Sequence, residues 1–197
     1  MGLLTAVLRH YLCVCLCLLL ALWVVCSSGV VAGAESPAPT MHQVQAAFLF
    51  NFAKFVTWPD DAFDRSGSSL IIGVLGEDPF GAVLEETVRD KAIMGKKLAV
   101  KRFVRIQDAV KSHILFLSSS EESQLLPMLK VLEKTNVLTV SDIEEFAERG
   151  GMVAFTVEEQ KVRFNVNVGA VERAGLKMSA QLLKLARIVS DKPRAGN

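Results

Sequence analysis

Residues 70–81 read LIIGVLGEDPFG. From Leu70 to Gly76 there is no charge and no alternation over the length of a strand, so both faces of this run must be covered. Asp78 and Pro79 then supply an N-cap and a first helical residue, which predicts a helix through about Asp90. The pattern recurs downstream. MGKKLAVKRFV turns at Gly95 and alternates from Leu98 to Val104, and a short helix fits Ile106 to Val110. HILFLS (113–118) is a second continuous apolar strand, after which Ser120 caps a helix to about Lys134. NVLTVS (136–141) is a third, and Ser141 with Glu144 forms a capping box for a helix closed by Gly150 and Gly151. Strand and helix repeated in this way predict a mostly parallel sheet with helices on both faces.

The flanks differ in style. MVAFTV (152–157), the turn EEQK and VRFNVNV (162–168) predict an antiparallel hairpin. Asn167 caps a short helix closed by Gly175, and Ser179 starts a terminal helix on which Met178, Leu182, Leu185 and Val189 share a stripe. Upstream, Thr40 and Gln43 make a capping box for a helix from Met41 to about Thr57, stopped by Pro59. That helix holds FLFNFAKFVTWP (48–59). At 100° per residue Met41, Val44, Phe48, Phe52, Phe55 and Val56 share one face, expected to be core. Phe50 falls opposite, with Gln43, Ala46, Ala47 and Lys54. The expectation is a single α/β domain over residues 41–190, with a mostly parallel mixed sheet, a C-terminal antiparallel hairpin and a terminal helix, followed by a tail at 191–197.

The N-terminal stretch belongs to another class of segment. Arg9 and His10 precede the uncharged run YLCVCLCLLLALWVVC (11–26), and Ala32-Gly33-Ala34 fits the small-x-small rule for cleavage before Glu35. The run is shorter than the roughly 20 apolar residues of a membrane span. Residues 1–34 therefore read as a cleaved secretory signal, with an uncleaved N-terminal anchor as the alternative, and 35–40 as a disordered leader. All four cysteines lie in the signal, so the exported chain has no thiol for a disulfide or a metal. Removing 34 residues from 197 leaves 163, enough for one domain with its own core. Only Arg9 is lost from 22 basic residues, leaving 21 against 21 acidic. A balanced charge gives no electrostatic case for nucleic acid as a partner.

Enzyme signatures are sparse. Two histidines, His42 and His113, remain after cleavage, too few for a histidine-rich metal site. His113 with Ser112 and Asp108 is drawable as a triad only by closeness in sequence, and LGEDPFG lacks both the Lys-Ser/Thr of a P-loop and the GxGxxG spacing. Neither catalytic residues nor a cofactor nor a metal site are assigned. Two binding constellations stand out instead. Arg163, Asn165 and Asn167 share one face of a strand, the solvent face of a hairpin or a place to meet an anion. Lys177, Ser179 and Arg187 lie near the last helix, a cap with two surface cations or a small anion pocket. The candidate ligand set is thus Arg163, Asn165, Lys177, Ser179 and Arg187.

Several segments taken together, AAFLFNFAKFVTWP, GVLGEDPFG, HILFLSSSE, VLTVSDIEEFAERGGMVAFTVEEQKVRFNVNV and AGLKMSAQLLKLARIV, resemble the YfiR family of exported bacterial proteins in order and spacing, from about Val44 to Val189. The resemblance implies a periplasmic regulator rather than an enzyme. Such a protein holds down an inner-membrane diguanylate cyclase by binding its periplasmic sensor portion, and an outer-membrane lipoprotein draws it away, raising cyclic-di-GMP and biofilm formation. It also implies an α/β fold that forms a homodimer. Many members carry one cysteine within the strand matching Leu70 to Leu75 and another just before His113; here Ile72 or its neighbours and Ser112 hold those places. A regulator that works by contact needs exposed apolar anchors, and aromatic residues supply most contact energy at interfaces. Phe50, Lys54 and Trp58 are the candidate partner-binding patch, the alternative being that a second element covers this side and Phe50 is core. A stand-alone periplasmic receptor for a small anion is the other functional reading.

Overall fold

The continuous apolar runs become the middle of one eight-stranded sheet, because only there are both faces covered. The structure is a computed structural model and describes residues 38–63 and 69–192; the expected signal at 1–34, the first part of the leader and residues 193–197 of the tail lie outside them. In chain order the sheet strands are β2 (Ser69–Leu75), β3 (Ala92–Ile93), β4 (Lys96–Phe103), β5 (Ile114–Leu117), β6 (Leu138–Ser141), β7 (Val153–Glu158), β8 (Lys161–Asn167) and β10 (Arg187–Val189). Their spatial order is β10-β8-β7-β6-β5-β2-β4-β3. The pairs β4/β2, β2/β5, β5/β6 and β6/β7 are parallel, as is β8/β10, while β7/β8 is the expected hairpin and β3/β4 a second antiparallel pair. A separate two-stranded ribbon joins β1 (Val56–Thr57) to β9 (Lys177–Met178).

Alternation along each strand divides the side chains between two cores. Leu70, Ile72 and Val74 of β2, Phe116 of β5 and Phe164 of β8 face α1 (Met41–Phe55), α2 (Ala82–Val88), α5 (Val168–Arg173) and α6 (Ala180–Leu183). Leu75, Leu115, Leu117 and Ala154 face α3 (Ile106–Ala109), α4 (Leu125–Leu132) and the turns around Ile143 and Phe146. The fold class is the expected one, a mixed, mostly parallel sheet with helices on both faces.

Several boundaries move, each for a local reason. Asp78 does accept from a backbone N–H, that of Phe80 at 2.8 Å, but α2 starts only at Ala82. Ser118 rather than Ser120 is the cap of the 3-10 turn Ser119–Gln124 that leads into α4. The helix expected after Ser141 is a run of turns, with Glu145 at φ 55, and the Ser141 hydroxyl works inside the sheet, donating to Leu117 O at 2.6 Å and accepting from Ile143 N–H at 3.0 Å. The terminal helix closes after Leu183, and the chain continues as β10 beside β8, so the apolar spacing over 178–189 serves a helix turn and then an edge strand.

Candidate functional site

The capping box of α1 is formed as expected, Thr40 and Gln43 each binding the other's backbone N–H. The buried stripe of the helix, however, is Gln45, Ala46, Leu49, Phe52 and Ala53, rotated by about 90° from the expected face at 100° per residue. The helix is covered from two sides, by the sheet under Phe52 and by α2, against which it packs. Phe48 and Phe55 thereby become one half-buried flank and Phe50 the other. Phe50 is neither opposite the core nor bare: the Lys91 ammonium sits 4.3 Å from its ring centroid. Lys54 is exposed, with its Nζ 5.3 Å from the Phe55 ring. Met94, at the tip of the β3–β4 turn, is 70% exposed, and Lys91 lies just before β3.

Trp58 does not belong to this patch. It is 4% exposed, its Nε1 donates to His113 O at 3.2 Å, and its ring meets His113 and Phe63 edge-on. The helix does not run to Thr57 and Pro59 as expected: it closes at Phe55, Val56 is extended, and β1 turns the tryptophan inward before the proline is reached. A large amphipathic ring with one donor is well suited to such a place, since its N–H finds a carbonyl. His113 is buried beside it. Its Nδ1 accepts from Ile71 N–H at 3.0 Å, which puts the proton on Nε2, and burial, aided by the Lys96 charge, pulls its pKa down to about 4. The triad drawn from sequence does not assemble: Asp108 pairs with Arg105 at 2.8 Å, and Ser112 Oγ is buried without a hydrogen-bond partner. Ser112 instead faces Gly73, where an added Cβ would stand 2.5 Å from its Oγ. Gly73, the neighbour of Ile72, is therefore the β2 position that the Ser112 side chain approaches, although its partner in the register is Leu115.

The sheet splits the candidate ligand set. Arg163 is exposed on β8, Asn165 is buried on the same face with its Nδ2 3.4 Å from Glu148 Oε1, and Arg187 stands beside Asn165 in the register of β10. Lys177 and Ser179 lie on the other face. Ser179 caps α6 through Leu182 N–H at 3.2 Å, and its own N–H donates to Phe55 O at 2.9 Å. Lys177 lines a groove of about 530 Å³ walled by Val168, Val171, Leu176, Met178 and Leu183, an apolar lining with Glu172 at its rim. The five residues do not form one pocket. Asn167 is likewise structural: its Oδ1 caps α5 at Ala170 N–H, and its Nδ2 donates to Ala147 O at 2.8 Å and Asp191 Oδ1 at 2.7 Å.

Two features escaped the sequence reading. Strands β2, β5 and β6 end side by side at Leu75, Leu117 and Ser141, where the connection after β2 leaves to one face and that after β5 to the other, the arrangement that opens a crevice in such sheets. There Ser120 Oγ accepts from Glu77 N–H and Asp142 Oδ1 from Ser119 N–H, each at 3.0 Å. Burial pushes the Asp142 carboxyl up, against those backbone bonds and nearby His42. Its place at the carboxyl end of a parallel strand was the available signal. A groove of about 1050 Å³ also runs between α4, residues 148–152 and α5, with Leu129, Leu132 and Met152 as apolar wall and Lys130, Arg149, Arg173 and Lys192 among its charges. Arg173 is paired with Asp191 at 2.9 Å and Arg149 with Glu122 at 2.8 Å. Among the described residues no group of three or more His, Cys, Asp or Glu is placed to hold a metal ion, and no helix is long and apolar enough to cross a membrane.

The described residues form an α/β domain whose conspicuous side chains lie on helix flanks and strand edges. The chain belongs to the YfiR/HmsC-like family, whose sequence profile matches residues 42–187. Among solved structures it is similar to a conserved domain protein from Vibrio cholerae O1 biovar El Tor, at 13% identity and a TM-score of 0.49 over 76% of this chain. The match spans 60% of that structure's own chain. No curated protein matches the sequence.

Proposed function

We propose that this chain is an exported periplasmic regulator, without catalytic activity, that binds the periplasmic sensor portion of an inner-membrane diguanylate cyclase and lowers its cyclic-di-GMP output. Membership of the YfiR/HmsC-like family over residues 42–187 is the observation that carries this reading. The flank of α1 with Phe50 and Lys54, joined by Lys91 just before β3 and by Met94 of the β3–β4 turn, is the contact surface we assign to it. A ring covered by an ammonium is an adaptable anchor, since a partner carboxylate can meet the cation while its apolar groups take the ring edge. Trp58 is withdrawn from this surface by its burial. Repression follows from differential affinity: the regulator shifts the cyclase toward its inactive state only as far as it prefers that state. An outer-membrane lipoprotein competing for the regulator would release the enzyme, and a homodimer would present two such surfaces.

The test is deletion of the gene in its native host with measurement of cyclic-di-GMP. The level rises, and is restored by the wild-type chain but not by one carrying Phe50→Asp with Lys54→Glu. An unchanged level on deletion overturns the reading. The second reading, a receptor for a small anion, would use the groove between α4 and α5, where Arg149 and Lys130 line the wall alongside Glu133 and Glu148, rather than the divided set around Lys177. Stabilisation of the purified chain by a small carboxylate, lost in Arg149→Ala, would support it.

A further inference from the structure

The basic and acidic residues, 22 and 21 in all, are segregated along the chain. Residues 89–111 hold eight Lys or Arg against two Asp, whereas 112–148 hold seven Asp or Glu against two Lys. The basic segment is the β3–β4 margin of the sheet. β4 is bounded by β2 along its inner side from Lys97 to Phe103, but on its outer side β3 covers only Lys96 and Lys97. The outer ladder ends where Leu98 N–H donates to Lys91 O at 3.2 Å. Successive strand residues turn their N–H and C=O to alternate sides, so Val100 and Arg102 point outward with Leu98. No strand among the described residues pairs with them there. This leaves residues 99–103, about 17 Å of strand at 3.3 Å per residue, with an open row of donors and acceptors.

The side chains along this row have a definite polarity. Lys97 and Lys101 project on one face, and among the described residues neither enters an ion pair. On the other face Val100 is half-buried, and Arg102 is held by Asp78, Glu85 and the carbonyl of Gly81. We infer that this edge accepts an extended acidic segment of a partner polypeptide as an added strand, its carboxylates beside Lys97 and Lys101 and its apolar residues beside Val100. Main-chain bonds would supply the affinity and the alternating side chains the choice of partner. The inference rests on strand geometry and charge, and holds whether or not the partner is a cyclase. The competing account of lysines on a strand edge is that they only keep other strands away.

The experiment uses a labelled nine-residue peptide alternating Glu and Val, with a Lys/Val peptide as control, and measures fluorescence anisotropy against the purified chain. The Glu/Val peptide is expected to bind saturably and the control not to bind. Lys97→Glu with Lys101→Glu should weaken binding by about tenfold or more, the loss of one or two charge-assisted contacts. Val100→Pro should do the same, since it removes an outward N–H without touching the bonds to β2. Amide exchange in the wild-type chain should slow at Val100 and Arg102 when peptide is present, a readout independent of whether Val100→Pro folds. Absence of peptide binding would leave the lysines as edge guards and overturn the proposal. Unchanged exchange at Val100 and Arg102 in the bound state, or equal binding by a folded Val100→Pro chain, would reduce the contact to charge alone and overturn it as well.

Discussion

The two faces of the sheet are filled by different means. On the α1 face Phe48, Phe52, Phe155 and Phe164 form a cluster with ring centroids 5.2 to 6.1 Å apart, and Phe80 meets Phe116 at 4.8 Å. On the α3/α4 face Leu115, Leu117, Leu125 and Leu132 are interspersed with Gly73, Ser112, Thr139, Ser141 and Asn167, several of them tied to backbone. Rings bury large areas with few degrees of freedom, so the first face carries much of the stability. The second face has polar groups whose partners must be kept, and one, Ser112, that has none. The two faces should therefore differ in how much change they tolerate, and four tests probe that contrast.

The largest effect belongs to the aromatic face. Phe52 is wholly buried and contacts three other rings, so Phe52→Ala is expected to cost about 3–5 kcal/mol in urea unfolding, enough to leave a marginal domain partly unfolded. A loss below about 1 kcal/mol would mean that the cluster is loosely packed and the contrast between the faces is wrong.

The next effect tests the slack on the opposite face. Gly73→Cys with Ser112→Cys places two sulfurs where Gly73 already approaches Ser112, and oxidation should bridge them. The oxidised double variant should exceed its own reduced form by roughly 3 kcal/mol, because the bridge closes a long loop of the unfolded chain. Comparing the two redox states of one protein removes the crowding that the new side chain brings against Phe103 and Leu115. Free thiols persisting after oxidation, shown by thiol titration, would refute the facing of these positions.

Between the faces lies the His113 node. Its folded-state pKa is depressed to about 4 from 6.5, so the unfolded chain takes up a proton that the folded chain refuses. The stabilisation is therefore complete above pH 6.5, falls as the pH drops toward 4, and is flat below that for this group. The loss is on the order of 2–3 kcal/mol across that window. His113→Asn, whose side-chain oxygen can take the Ile71 N–H, should flatten the dependence between pH 6.5 and 4.5 while lowering stability at pH 7. An unaltered pH slope in the variant would assign the acid sensitivity elsewhere.

The strands and the order of elements were legible because continuous apolar runs and capping residues are local signals. Leu70 to Leu75 and Ile114 to Leu117 needed no tertiary information. The rotation of α1 did: Ala46 and Ala53 carry too little apolar area to announce burial, yet both are buried in a helix that packs against α2 as well as the sheet. Trp58 was misread for a related reason, since a ring next to a proline looks terminal until a two-residue strand turns it inward. The separation of Arg163 from Lys177 was invisible because it depends on which side of the sheet each connection takes. Asp142, at the end of β6, had a positional signal that sequence reading could have used but a partner, Ser119, that it could not.

Phe50 tests the comparison at its finest point, because it lies on the same helix as Phe52 and only two residues away. Its half-buried ring rests against the Lys91 ammonium rather than in the ring cluster, so Phe50→Ala removes little packed area and should cost about 1 kcal/mol or less. If the surface we assign to docking is right, the same change weakens partner binding, or homodimer formation measured by sedimentation, by more than it weakens folding. Lys91→Ala supplies the control: it uncovers the ring without deleting it, and should alter the salt dependence of association more than its strength. Equal losses of folding stability and association in Phe50→Ala would place the ring with Phe52 as core, and the outward flank of α1 would then hold no anchor beyond Lys54 and Met94.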